Sequence, residues 1–147
     1  MRYAIDTNIL VYAEGFDDAA KQALAKTLVR DLPYGDTFVS INVLGELFNV
    51  LVRRGLTRAE AQAAAERWRT SFTLCETSEA LMFAAIDLAA GHALSIWDAL
   101  ILAAAAEAGC GLLLSEDFQD GFVWNGVTVA NPFQSPPHPL LAGALSR

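Results

Sequence analysis

Apolar positions along the chain follow two rhythms: short unbroken runs bounded by polar residues, and longer stretches at helical spacing. The first run, "RYAI", reads as a buried strand from Met1 to Asp6, and "TNILVYAE" follows at once as a helical start. Between Asp17 and Leu32, Ala20, Leu24, Leu28 and Leu32 share one face, with Lys21, Lys26 and Arg30 elsewhere. "PYGD" is a turn, "TFVS" a second strand, and "INVLGELFNVLVRRG" a helix closed by Gly55. Thr57 and Glu60 stand at capping-box spacing and open another helix, after which "TLCET" reads as a strand. "SEALMFAAIDLAAGHAL" is a helix ending near Gly91, and one more runs from Ser95 to Glu107. "CGLLLSED" is a buried strand with a polar loop behind it, and "VWNGVTVANPF" supplies one or two last short strands.

Strands separated by whole helices cannot be hairpin neighbours; they require crossovers and a parallel sheet covered on both faces. The pattern therefore predicts an α/β fold, a three-layer α/β/α domain with a central, mainly parallel sheet of four to five strands. It spans residues 1–133, and the Pro-rich segment 134–147 is expected to be a loosely held tail. Ligands of such sheets collect beyond the carboxyl ends of the strands. Two strands end there in acid: "YAID" at Asp6 and "LLLSED" at Glu116 and Asp117.

Composition narrows the classes. With 147 residues, 54% of them hydrophobic, the chain supports one sizeable core. Every apolar run is interrupted before the ~18 residues that span a bilayer, and Asp6 breaks the N-terminal run before a signal-peptide core is complete. A cytoplasmic protein without membrane contact is expected. Cys75 and Cys110 form no C-x-x-C pair and read as reduced, packed thiols. His92 and His138 share no ligand spacing, and no P-loop, nucleophile elbow or glycine-rich dinucleotide turn is present. The formal net charge of −7 disfavours a general phosphate-binding surface. It suits carboxylates that share a cation, or that a basic partner covers.

Each candidate acid has an architectural account of its own. Asp6 fits a helix N-cap or Asx-turn, although Asn8 is an equal candidate for the cap and would free Asp6 for chemistry. Glu46 is alone in charge between Ile41 and Val52 and shares a polar stripe with Asn42 and Asn49. Asp98, with Ser95, makes an S-x-x-D capping box at a helix start, with Trp97 and Leu100 expected to pack behind it. Asp117 fits an acidic turn with Glu116, Asp120 and Gly121. Jointly the acids say more. Asp6 and Asp117 end strands at one sheet edge, and the helix bearing Asp98 leads into the strand that ends at Asp117. Converging carboxylates without Lys or Arg repel unless protonated or neutralised by a hard divalent cation. The chemistry natural to such a site is metal-assisted phosphodiester hydrolysis.

Taken in order, "YAIDTNIL", "INVLGELFNVL", "SIWDALILAAA" and "LLLSEDFQDG" resemble the PIN-domain family, and within it the VapC-type toxin ribonucleases of bacterial toxin–antitoxin pairs. The resemblance covers nearly all of the chain before the Pro-rich tail. It implies a PIN-like domain with Asp6, Glu46, Asp98 and Asp117 as catalytic, metal-binding acids, supported by Asn8 and by Ser115 of the S-x-D arrangement. It implies a Mg²⁺- or Mn²⁺-dependent endoribonuclease, a cognate antitoxin partner and a homodimer. Glu116 sits where the family varies and is expected to be exposed; Asp120 is a looser candidate for a further acid. Arg53, Arg54, Arg58, Arg67 and Arg69, on and after two consecutive helices, are candidates for contacts to RNA phosphates, or simply a solvated charged face. A PIN nuclease of RNA processing without an antitoxin, and a non-catalytic α/β binding module, are the alternative readings.

Overall fold

The computed structural model describes residues 1–145. Its elements follow the hydrophobic rhythm closely: β1 (Tyr3–Ile5), α1 (Thr7–Ala13), α2 (Ala19–Asp31), β2 (Thr37–Ser40), α3 (Ile41–Arg53), α4 (Arg58–Ser71) and β3 (Thr73–Cys75). Then come α5 (Glu79–His92), α6 (Ile96–Glu107), β4 (Leu112–Leu114), β5 (Val123–Trp124), β6 (Val127–Ala130) and α7 (Pro139–Leu145). The Thr57–Glu60 capping box forms in both directions at the start of α4.

The six strands make one sheet in the order β3-β2-β1-β4-β6-β5, parallel except for the β5–β6 pair. That count exceeds the expected four to five because "VWNGVTVA" folds as a hairpin. Asn125 and Gly126 both take positive φ, 50° and 83°, the backbone that a two-residue hairpin turn requires. Helices cover both faces of the sheet. α1 packs on α2 and α3, and α3 on α4; α5 packs separately on α6, which lies over β2, β4 and β6. Ala99 to Ala105 of α6 are all buried, so its small side chains let a helix sit closely between the sheet and α5. Among the described residues no single helix is long and apolar enough to cross a membrane.

Three expectations change. The buried face of α2 is Ala25, Leu28 and, just beyond the helix, Leu32, whereas Ala20 and Leu24 face solvent. α5 runs through Gly91 and stops at Ala93, which takes a left-handed φ of 54°. The tail is not wholly loose, because "PLLAGAL" forms α7 and Leu141 joins the core at 1% exposure. Leu141→Ala is therefore expected to cost about 2 kcal/mol or more in urea denaturation. A change within about 0.5 kcal/mol, the usual range for an exposed site, would deny the tail any share in stability.

Sheet order decides where a site can form. From β1 the chain first builds outward through β2 and β3, then returns through β4 on the other side of β1. The carboxyl ends of β1 and β4 thus flank the topological switch point, where open α/β sheets hold their ligands. Asp6 N–H donates to Leu114 O at 3.0 Å, and this pairing fixes the level of one strand end against the other.

Candidate metal centre at the β1–β4 switch point

Asp6 leaves β1 as the N-cap of α1 and is 2% exposed. Its Oδ1 accepts from Thr7 N–H at 2.7 Å and its Oδ2 from the Ser115 hydroxyl at 2.6 Å. Ser115 is wholly buried at the end of β4, and its Oγ also accepts from Asp117 N–H at 3.1 Å. The Asn8 amide donates to Asp117 Oδ2 at 3.1 Å and, more weakly, to Asp6 Oδ2 and Ser115 Oγ, each at 3.4 Å. One hydroxyl and one amide therefore tie the two strand-end acids together. The cap and the candidate ligand at Asp6 are the same side chain, since different oxygens face different partners.

Asp98 arrives from the other helical layer. Ser95 Oγ accepts from Asp98 N–H at 3.1 Å, the forward half of the expected capping box. Among the described residues the carboxylate makes no return bond to the Ser95 amide. Instead, one carboxylate oxygen each from Asp6, Asp98 and Asp117 lie within 4.8 Å of one another. Glu46 is not in that group. It stands exposed on α3, its Oε2 accepting from Thr7 Oγ1 at 3.1 Å.

Electrostatics make this grouping costly. Like charges at such a separation repel by on the order of 3 kcal/mol per pair at an effective dielectric constant near 20. No ion pair to any of the four acids forms among the described residues. Burial pushes the Asp6 carboxyl up to about 7, against the lowering bonds from Ser115 and Thr7 and with added repulsion from Asp117 and Glu46. Burial also raises Asp98, opposed by the Ser95 hydroxyl and reinforced by Asp117. An all-oxygen donor set without a neutralising cation, one member held partly protonated at neutral pH, fits a hard divalent ion. The buried Asn8 Oδ1 has no hydrogen-bond partner among the described residues, a second sign that something polar belongs near this point.

The remaining acids are otherwise engaged. Glu116 is not exposed as expected: it is half-buried, accepting from Tyr12 Oη at 2.6 Å and pairing with Lys21 Nζ at 2.8 Å. Lys21 in turn lies over the rings of Tyr12 and Phe133. Asp120 Oδ1 accepts from Asn131 N–H at 2.8 Å and so braces the loop before β5. His92 packs edge-on against Phe122, and His138 caps the backbone of Leu140. Among the arginines, Arg54 pairs with Asp17, Arg67 with Glu14 and Arg69 with Glu66. Arg53 and Arg58 are exposed with no carboxylate partner among the described residues. Sequence reasoning missed Thr7, whose backbone and side chain bridge Asp6 and Glu46; its place directly after Asp6 was the available signal. It also misplaced Trp97, which is 61% exposed rather than packed behind Asp98; Leu100 alone is buried.

Ser115→Ala tests the brace. It removes the hydroxyl from a wholly buried position and strips Asp6 of its shortest bond. A loss of about 1–3 kcal/mol in denaturant unfolding is expected; wild-type stability would show that the bond contributes nothing net.

Comparison with known proteins identifies the family. The family model described as "PIN domain" matches residues 3–119. The chain belongs to the PIN-domain family. No curated protein matches it in sequence. Among solved structures, this PIN domain is similar to VapC20 of Mycobacterium tuberculosis, a sarcin-ricin loop cleaving toxin, at 28% identity and a TM-score of 0.69. That match covers 86% of this chain and 98% of the other. A toxin–antitoxin complex from Klebsiella pneumoniae (21% identity, TM-score 0.65, 90% and 98% coverage) shares the fold. So does VapBC2 from Rickettsia felis, bound to a DNA fragment from their promoter (18%, 0.63, 88% and 97%).

Proposed function

We propose that this PIN domain is a Mg²⁺- or Mn²⁺-dependent endoribonuclease and the toxin of a type II toxin–antitoxin pair. The observation that carries the reading is the uncompensated group of Asp6, Asp98 and Asp117 at the switch point. These three carboxylates would hold the cation, with Glu46 at the rim. Bound there, a hard divalent cation would acidify water and offset charge on the scissile phosphate. Ser115 and Asn8 fix the Asp6 and Asp117 oxygens through the bonds described. Glu46, held by Thr7 beside the adjacent groove, would accept a proton from water there. That groove, about 270 Å³, is lined by Asn8, Glu46, Arg54, Glu116 and Asp117 among others.

Arg53 and Arg54 border this region and are the nearer candidates for RNA phosphates; Arg58, Arg67 and Arg69 extend the basic surface on α4. Exposed ion pairs are worth at most about 1 kcal/mol, so Arg54, Arg67 and Arg69 remain available to a phosphate. The acidic groove equally suits a basic segment of an antitoxin, and solved neighbours include toxin–antitoxin complexes. A homodimer acting in the cytoplasm is part of the same proposal, with Phe83 and Ile86, exposed one turn apart on α5, as the candidate dimer face.

The test is purified protein on a panel of tRNA, rRNA and mRNA with Mg²⁺, with Mn²⁺ and with EDTA, the cuts being mapped. Discrete cleavage in either metal and none in EDTA is expected. Cutting that persists in EDTA, or intact RNA in every condition, would overturn the reading.

A further inference from the structure

On the far side of Glu46 from the groove just described, α3 and α6 enclose a second one of about 570 Å³. Its α3 wall carries Asn42, Glu46, Asn49 and Arg53, at helical spacing on one face, and its α6 wall carries Trp97 above a nearly buried Ile101. Three features set it apart from ordinary surface. The Trp97 indole is 61% exposed, although the same helix has room to bury seven consecutive residues from Ala99 onward. The Ser40 and Thr77 hydroxyls both donate to Asn42 Oδ1, which fixes the amide and leaves its N–H groups without an acceptor among the described residues. Arg53, in the same groove, has no carboxylate partner among the described residues, while Arg54 beside it is paired. At Gly45 the wall is open, since a Cβ there would meet no atom within 4 Å.

Resting on the ribonuclease reading, we infer that this groove holds one unstacked base of single-stranded RNA next to the bond that is cut. A flat aromatic face, free amide donors and an unpaired guanidinium are the three components of such recognition: stacking, base-edge hydrogen bonding and phosphate contact. Trp97 precedes Asp98 in sequence, and Glu46 borders both grooves, so a base stacked on the indole has its backbone led toward the carboxylates. Trp97 and Asn42 are thereby specificity-determining residues. A duplex cannot present such a base without flipping it out of the stack, so the groove selects loops and single strands.

The test uses the full-length chain carrying Asp98→Asn, so that RNA is bound without being cut. The probes are single-stranded octanucleotides of adenylate and of uridylate, and a blunt RNA duplex. Single strands are expected to bind and to quench tryptophan emission, and the duplex to bind at least about tenfold more weakly with emission unchanged. Adding Trp97→Ala should abolish the quench and weaken single-strand binding about tenfold, with Trp97→Phe recovering most of the affinity. Gly45→Leu, which fills the groove from α3 and leaves Trp97 in place, should weaken binding as well and guards against misfolding of the Trp97 variant. Equal affinity of the parent and both groove variants for single strands overturns the inference. So does loss of a dimer on Trp97→Ala at unchanged RNA affinity, which would assign this face to a second copy. The two readings fail separately. Quenching by RNA that the wild-type chain never cuts ends the ribonuclease reading and keeps the groove, whereas cutting that is indifferent to Trp97 and Gly45 does the reverse.

Discussion

Asp98→Asn is expected to lower metal-dependent RNA cleavage by at least about a hundredfold while leaving the melting temperature within a few degrees of wild type. The two halves of this result come from different atoms of one residue. The helix start depends on Asp98 N–H, which donates to Ser95 Oγ and survives the substitution. The carboxylate, by contrast, supplies one of the three oxygens that meet within 4.8 Å. Asparagine keeps the shape and removes one charge from a group with no compensating cation, so repulsion falls and the fold loses nothing. Isothermal titration with Mn²⁺ supplies the second readout, and affinity should fall together with cleavage. A collapse of thermal stability with unchanged Mn²⁺ binding would make Asp98 a cap and nothing more.

Through Asp6 the metal-free protein is expected to lose roughly 3 kcal/mol of stability as pH rises from about 4 to 7. The sign follows from Asp6, whose carboxyl is raised to about 7 in the fold from an ordinary value of 3.8. Between those values the folded state holds a proton that the unfolded state has released, so every step up in pH favours unfolding. The stabilising contribution is complete below the unfolded value and gone above the folded one. Asp98, also raised, adds in the same direction. Urea denaturation in EDTA across this range reads the slope, and Asp6→Asn should flatten it. Millimolar Mg²⁺ should restore stability at pH 8 and do little at pH 5, where a bound proton competes with the cation. Stability that climbs with pH in EDTA, or an Asp6→Asn slope equal to wild type, would show that Asp6 is charged and well solvated throughout.

Local pattern carried the reading far because much of this fold is local. Thr57 with Glu60 and the unbroken run at Leu112–Leu114 each act within a few residues. Periodicity failed where a third element chooses the face. On α2 the candidate stripes differ by one residue, and contact with α1 selects Ala25 over Leu24. The tail failed for a similar reason, since one leucine finding a core site outweighs the prolines before it.

Each of the four acids had an architectural account of its own and only together did they stand out, yet the chain order could not say which of them meet. Alternation of strands and helices determined an α/β sheet, and the sheet rule placed Asp6 and Asp117 at its carboxyl edge, because crossover connections leave strands parallel. Everything beyond that depends on distances between residues about a hundred positions apart. Placing β1 beside β4 closes Asp6 onto Ser115, and Asp98 meets Asp6 and Asp117 there. The docking of α6 turns Leu100 inward and leaves Trp97 out, while α3 holds Glu46 at the rim. Burial then sets the protonation of Asp6, which no neighbour in sequence foretells: a carboxyl is raised by the water it loses, and that loss exists only once the layers have closed.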